Sequence, residues 1–336
     1  MKIRVLIFPL FFLLLLFSCS EKPEFSSFAG TAQGTTYSIV FENSAKRNPF
    51  DLKAEIEKIL SDFDMSLSLY KDSSILSKVN RNEEAIPDEF FIEVFKRSVE
   101  ISQLTNEAFD ITVGTLVRAW GFGPDEHKDV SASKIDSLLQ LVGIEKVQFT
   151  DGKVLKSDPR VKLDFNAIAQ GYSVDVISGY LDKQGIKSYL VEIGGEVRVK
   201  GDKGDSLWRI GIDRPEDNNI SPGENLEAVI EMKDRSLATS GNYRKFYVEN
   251  GVKYSHTIDP KTGYPAKNQL LSATILASDC ATADGIATAC MVMGKEKSIE
   301  FLDLHPEFDA YLIYSDENGN FKTWMTENIR GLVLEE

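Results

Sequence analysis

Short β-forming runs joined by two-residue turn signals set the strongest limit on how this chain folds. Asn250-Gly251 separates a run over 243–249 from one over 252–258, and Asn318-Gly319 separates 309–315 from 321–325. Asn-Gly supplies the positive φ angles of a type I′ hairpin, so the flanking runs pair antiparallel. Further β-branched and aromatic runs occupy 35–41 (entered through Gln33-Gly34), 187–193, 196–200, 208–213, 225–232 and 270–277, with a strand-like piece at 67–70. Gly194-Gly195 marks a place where backbone can approach a ligand closely. Between these runs the apolar spacing turns helical. It does so over 50–63, over a segment capped by Asp88 with Phe91, Val94, Phe95, Val99 and Ile101 on one face, over 130–142, from Asn166 to Gly185, and over 281–293 ahead of Gly294. Asp72 or Ser73 caps a shorter helix ending near Asn80. The pattern predicts an α+β fold, with mixed or antiparallel sheets, interspersed helices and two intertwined lobes that hold a ligand site between them.

The N-terminus is not part of that fold. Lys2 and Arg4 precede an apolar run over 5–17, and Leu16-Phe17-Ser18-Cys19 reads as a lipobox. The run is short for a membrane span. We therefore expect a signal peptide over 1–18, a lipid on Cys19, a polar tether over 19–28 and one extended domain over 29–336. Acidic residues outnumber basic ones by 52 to 38, for a formal charge of −14, and cleavage would remove Lys2 and Arg4 as well. So acidic a chain repels nucleic acid. An anionic ligand would then need a metal or local cations. Cys280 and Cys290 stand ten apart on one predicted helix, roughly 15 Å along its axis, too far for a disulfide. Two free, buried thiols are expected, and no cysteine–histidine cluster has zinc-ligand spacing.

His256 is one of three histidines and closes a strand-like run that Asp259-Pro260 breaks. An imidazole beside a carboxylate at such a lip suits a general base near neutral pH; a half-buried histidine closing a hairpin has the same local signature. Asp284 and Thr288, at i and i+4, share a helix face whose neighbours Ala281, Ala283, Ala287 and Ala289 are small. The helix near Asn166 offers unpaired N–H groups to a phosphate. Trp120-Gly-Phe-Gly suits a loop passing close to a flat ligand, or a packed aromatic turn. The chain has no Walker P-loop, no G-x-G-x-x-G fingerprint and no serine-hydrolase elbow. A few hard oxygen ligands, a phosphate site and a base together describe phosphoryl transfer or pyrophosphate cleavage with Mg²⁺.

Seven segments in one order carry a resemblance. They are Gln33-Gly-Thr-Thr-Tyr, Ala108-Phe-Asp-Ile-Thr-Val-Gly with Trp120-Gly-Phe-Gly, Leu163 through Asp175, Ile193-Gly-Gly-Glu, Ala238-Thr-Ser-Gly-Asn-Tyr-Arg, His256-Thr-Ile-Asp-Pro-Lys-Thr-Gly, and Ala283-Asp-Gly-Ile-Ala-Thr. From about Ala29 to Leu334 the chain resembles the ApbE family, the FAD:protein FMN transferases. The resemblance implies that Asp284, Thr288 and the Ala167 carbonyl hold Mg²⁺ against the FAD pyrophosphate. It implies that Tyr70 stacks on the isoalloxazine and that Ala108, Phe109 and Asp110 line the FAD pocket with Gln33 and Gln170. His256 would deprotonate a threonine or serine hydroxyl of an exported redox flavoprotein subunit, which takes FMN while AMP leaves. The family usually has methionine at position 33 and lysine at 170, so the glutamine at 170 removes a cation beside the pyrophosphate. The setting implied is a lipoprotein on the periplasmic face of a bacterial membrane. The same site with water as nucleophile would be an FAD pyrophosphatase, and without turnover a flavin-binding lipoprotein.

Overall fold

The computed structural model describes residues 23–122, 130–216, 223–242, 246–249 and 252–335; for 246–249, 252–254 and 335 only the backbone is described. The signal segment, Cys19, Gly123 and the Asn250-Gly251 turn lie outside the described residues.

Strands β1 (Phe25–Ala32) and β2 (Thr35–Glu42) form a hairpin with Ala32 opposite Thr35. Its two turn residues, Gln33 and Gly34, both have positive φ (52° and 74°), the type I′ geometry. Residues 25–28, placed in the tether by the sequence, pair with 39–42 in this hairpin. Helix α1 (Pro49–Leu67) begins on Asn48, whose side chain accepts from Phe50 N–H, and buries Leu52, Ile56, Leu60 and Phe63. No strand forms at 67–70. Ser74, rather than Asp72 or Ser73, caps helix α2 (Ile75–Arg81), and its hydroxyl donates to the Ser68 carbonyl at 2.6 Å, which curls this segment into a turn.

Asp88 caps helix α3 (Glu89–Leu104) by accepting from Phe91 N–H at 2.9 Å. A short helix α4 (Gly114–Ala119) sits where the sequence showed little period, and α5 (Ala132–Leu139) follows. The hairpin of β3 (Val147–Thr150) and β4 (Lys153–Lys156) leads to helix α6 (Ala169–Lys183). That helix starts three residues later than expected, after a turn over 166–168. Then come β5 (Tyr189–Ile193), β6 (Glu196–Lys200), β7 (Trp208–Asp213), β8 (Leu226–Met232), β9 (Arg235–Gly241), β10 (Phe246–Glu249), β11 (Val252–Ser255) and β12 (Leu270–Ala277). Helix α7 (Cys280–Met293) is followed at Gly294 by α8 (Lys295–Leu304), which the sequence reading missed, and by β13 (Asp309–Ser315), β14 (Phe321–Met325) and β15 (Val333–Glu335).

Among the described residues eight strands make one sheet in the order β1-β2-β5-β6-β9-β12-β13-β14, antiparallel at every step. β7 and β8 do not continue it. They pair with β15 in a separate three-stranded sheet and pack Trp208, Ile210 and Ile230 against Val197, Leu237 and Tyr311 of the large one. Helices α6 and α7 lie against the large sheet, α6 on β5 and β6 and α7 on β9 and β12. α7 buries eleven residues on all sides, as a central helix does. A smaller apolar cluster of Leu116, Trp120, Ile135 and Ile258 gathers α4, α5 and the segment after β11. The α+β class read from the sequence is the observed one. Among the described residues no helix is long and apolar enough to cross a membrane.

Candidate active site

A cavity of about 920 Å³ opens between the large sheet and that smaller cluster, toward the upper end of ordinary ligand pockets. Its floor includes α7, which presents Asp284 and Thr288 one turn apart. Gly171 brings α6 against this face. A Cβ at Gly171 would lie 2.4 Å from the Cys280 carbonyl oxygen and 2.8 Å from Asp284 Cβ, so only glycine allows the approach.

The N–H of Gly171 is one of the first-turn donors that a helix leaves without an internal partner. It donates to Asp284 Oδ2 at 3.0 Å, and Ala167, in the turn just ahead of α6, lines the cavity beside it. Asp284 is only 6 % exposed, and burial pushes its carboxyl up to about 7 against the opposing Gly171 bond. A buried carboxylate supported by a single N–H is costly unless a cation joins it. A carboxylate, a hydroxyl and a backbone carbonyl are hard oxygen donors, so the residues fit Mg²⁺. Ser240 Oγ lies 3.2 Å from Thr288 Oγ1. Either hydroxyl can donate in this contact, which ties β9 to α7 at the cavity wall.

His256 lines the same cavity. It follows β11 directly, is half-buried, and meets Phe122 edge-on with ring centroids 6.4 Å apart. The turn beyond it is built by Asp259, whose carboxylate accepts from Lys261 N–H (2.8 Å) and Thr262 O–H (3.0 Å). Gly263, at φ +77°, closes that turn against Ile135, and its carbonyl accepts from the Trp120 indole N–H at 2.9 Å. The Trp120–Phe122 segment is therefore the packed aromatic turn, and it buttresses the histidine loop.

Ala108, Phe109 and Asp110 line the cavity. Asp110 is buried, which raises its carboxyl, and it accepts from Thr112 N–H (2.7 Å) and O–H (2.6 Å). Gln33 and Gln170 are also at the wall. Gln33 Nε2 is buried with no hydrogen-bond partner among the described residues, and Gln170 packs where a Cβ on Gly194 would stand. Tyr70 is the exception. It is 66 % exposed and lines a neighbouring groove with Arg118 and Lys162 rather than the cavity itself. Asp164, Glu196, Thr239, Ser240 and Ile258 line the cavity without having been singled out. Their only sequence signal was membership of the ordered motifs. Cys19 lies outside the described residues.

The fold has known counterparts. The model of the ApbE family matches residues 33–312. A Vibrio cholerae protein named FAD:protein FMN transferase is 35% identical over 95% of this chain and 96% of its own length. Its Escherichia coli namesake is 30% identical over 100% and 98%. Among solved structures, the flavin transferase ApbE from Vibrio cholerae superposes with a TM-score of 0.82 at 35% identity, covering 92% of this chain and 99% of that one. The apo flavinyl transferase ApbE of Pseudomonas stutzeri gives 0.83 at 30% identity over 93% and 98%. This chain belongs to the ApbE family.

Proposed function

We propose that the protein transfers the FMN half of FAD to a threonine or serine hydroxyl of another protein and releases AMP. The observation that carries this reading is that Asp284 and Thr288 of α7, Ala167 of the turn before α6, and His256 all line one dinucleotide-sized cavity. The names borne by its relatives agree with it. In this mechanism Asp284, Thr288 and the Ala167 carbonyl hold Mg²⁺. When bound, the ion neutralises pyrophosphate charge and lowers the cost of the developing anion. On a chain of net charge −14 the substrate phosphates have few other counter-charges.

His256 takes the proton of the incoming hydroxyl on a ring nitrogen. The freed oxygen forms a bond to the phosphorus on the FMN side, and the bond from that phosphorus to the bridging oxygen breaks. AMP departs with the electron pair. The 108–110 segment, Gln33 and Gln170 bind and orient the dinucleotide, and Tyr70 stacks on the flavin where it emerges into the neighbouring groove. A lipid on Cys19 would hold the enzyme on the periplasmic face of a bacterial membrane, where exported redox subunits are the acceptors. Co-expression with a candidate acceptor tests the reading. Flavin fluorescence that stays with the acceptor band in a denaturing gel supports transfer; a dark band alongside free FMN would point to hydrolysis.

A further inference from the structure

Helices α6 and α7 cap each other. Asp284 of α7 accepts from Gly171 N–H in the first turn of α6. In return, Asp175 of α6 accepts at Oδ1 from Cys280 N–H (2.9 Å) and at Oδ2 from Ala281 N–H (2.8 Å), the first two residues of α7. Arg198 on β6 completes this junction with Nη1 2.6 Å from Asp175 Oδ1. Asp175 does not line the cavity. The first turn of α7 already has an ordinary cap in Asp279, which accepts from Thr282 N–H at 2.9 Å. Asp175 is thus a second carboxylate at one helix start, held by a guanidinium from the sheet. The two carboxylates together serve three of the four orphan N–H groups of α7, and Asp175 and Arg198 also tie its start to α6 and to the sheet.

We propose that Asp175, clamped by Arg198, is a positioning residue for the cation site. It fixes the start of α7 relative to α6 and β6, and thereby where Asp284 stands, one turn on. The two carboxylates act as rungs four residues apart on each helix, 171 and 175 on α6 and 280 and 284 on α7. If the lower rung is removed, α7 can slide or rotate by a fraction of an ångström. The distance from Asp284 to the Ala167 carbonyl then loses its definition. Outer partners that orient metal ligands commonly change affinity on the order of 10–100-fold. This inference rests on the metal reading given under the proposed function.

The test counts free Mn²⁺ by its EPR signal as it is titrated into the full chain with FAD present, for the parent, Asp175→Asn and Arg198→Gln. All three are held well below their unfolding temperatures and checked by circular dichroism. Asp175→Asn keeps one acceptor and loses the other. It should weaken Mn²⁺ on the order of ten-fold while saturating Mn²⁺ restores most of the transfer rate; Arg198→Gln, which keeps both helix bonds, should weaken it less. A merely structural role would lower the unfolding temperature and leave the affinity of the folded molecules unchanged. Parental affinity in both variants overturns the inference, and Arg198→Gln decides alone if Asp175→Asn does not fold. A parent that binds no Mn²⁺ would overturn the metal reading itself.

Discussion

Gly171 and Asp284 touch through backbone and side chain at once. The N–H of one donates to the carboxylate of the other at 3.0 Å, and their helices leave no room for a methyl group between them. Alanine normally stabilises a helix by about 1 kcal/mol over glycine. At position 171 overpacking, typically ~1–3 kcal/mol, should outweigh that gain. Gly171→Ala is expected to lower the unfolding temperature and to weaken Mg²⁺-dependent FAD binding, read by calorimetry. An alanine variant as stable as the parent and with its full affinity would contradict the packing described.

His256→Ala should bind FAD nearly as well as the parent, because the histidine stands apart in sequence and element from the Asp284, Thr288 and Ala167 donors proposed to hold the pyrophosphate. Turnover should fall ~10²–10⁴-fold, the usual worth of a positioned base. Rate constants and FAD affinities measured on the same preparation separate the two. Parental turnover would remove His256 from the mechanism.

Chelation by EDTA should stop transfer, and added Mg²⁺ should restore it. Asp284→Ala should abolish that rescue at ordinary Mg²⁺ concentrations. Rescue by Zn²⁺ and not by Mg²⁺ would be at odds with an all-oxygen donor set.

Cys280 and Cys290 are buried and free. Burial pushes the Cys290 thiol up to about 12 and raises Cys280 as well, with nearby carboxylates adding to the shift. A thiol above its usual range stays protonated at pH 8 and reacts slowly. A version carrying Cys19→Ser should show almost no reaction with a colourimetric disulfide reagent until denatured, and then two equivalents. Rapid native labelling would contradict their burial.

The sequence carried the elements whose signals are local. Asp88 and Gly294 bounded their helices as read, and the runs over 270–277, 309–315 and 321–325 are strands to the residue. The misreadings arose where tertiary contacts decide. Leu67 to Tyr70 has strand composition, yet the Ser74 hydroxyl reaches back to the Ser68 carbonyl and bends it. β7 and β8 are strands as their patterning predicts, but no pattern says which sheet a strand joins. At the α6 start Gly171 gives its N–H to a residue 113 positions away, a partner no local window contains. For the same reason Asp284 and Thr288 were legible as a helical pair, whereas Ser240 and Asp175 were not. Their importance lies in what another element places beside them.

The most direct measurement is the product balance when the enzyme, FAD, Mg²⁺ and a purified acceptor are combined, with intact-protein mass spectrometry for the acceptor and chromatography for nucleotides. The expected result is one phosphoester-linked FMN on a threonine or serine for each AMP released, lost together in His256→Ala. AMP appearing with an equal amount of free FMN and an unmodified acceptor would show that water, not a protein hydroxyl, is the nucleophile.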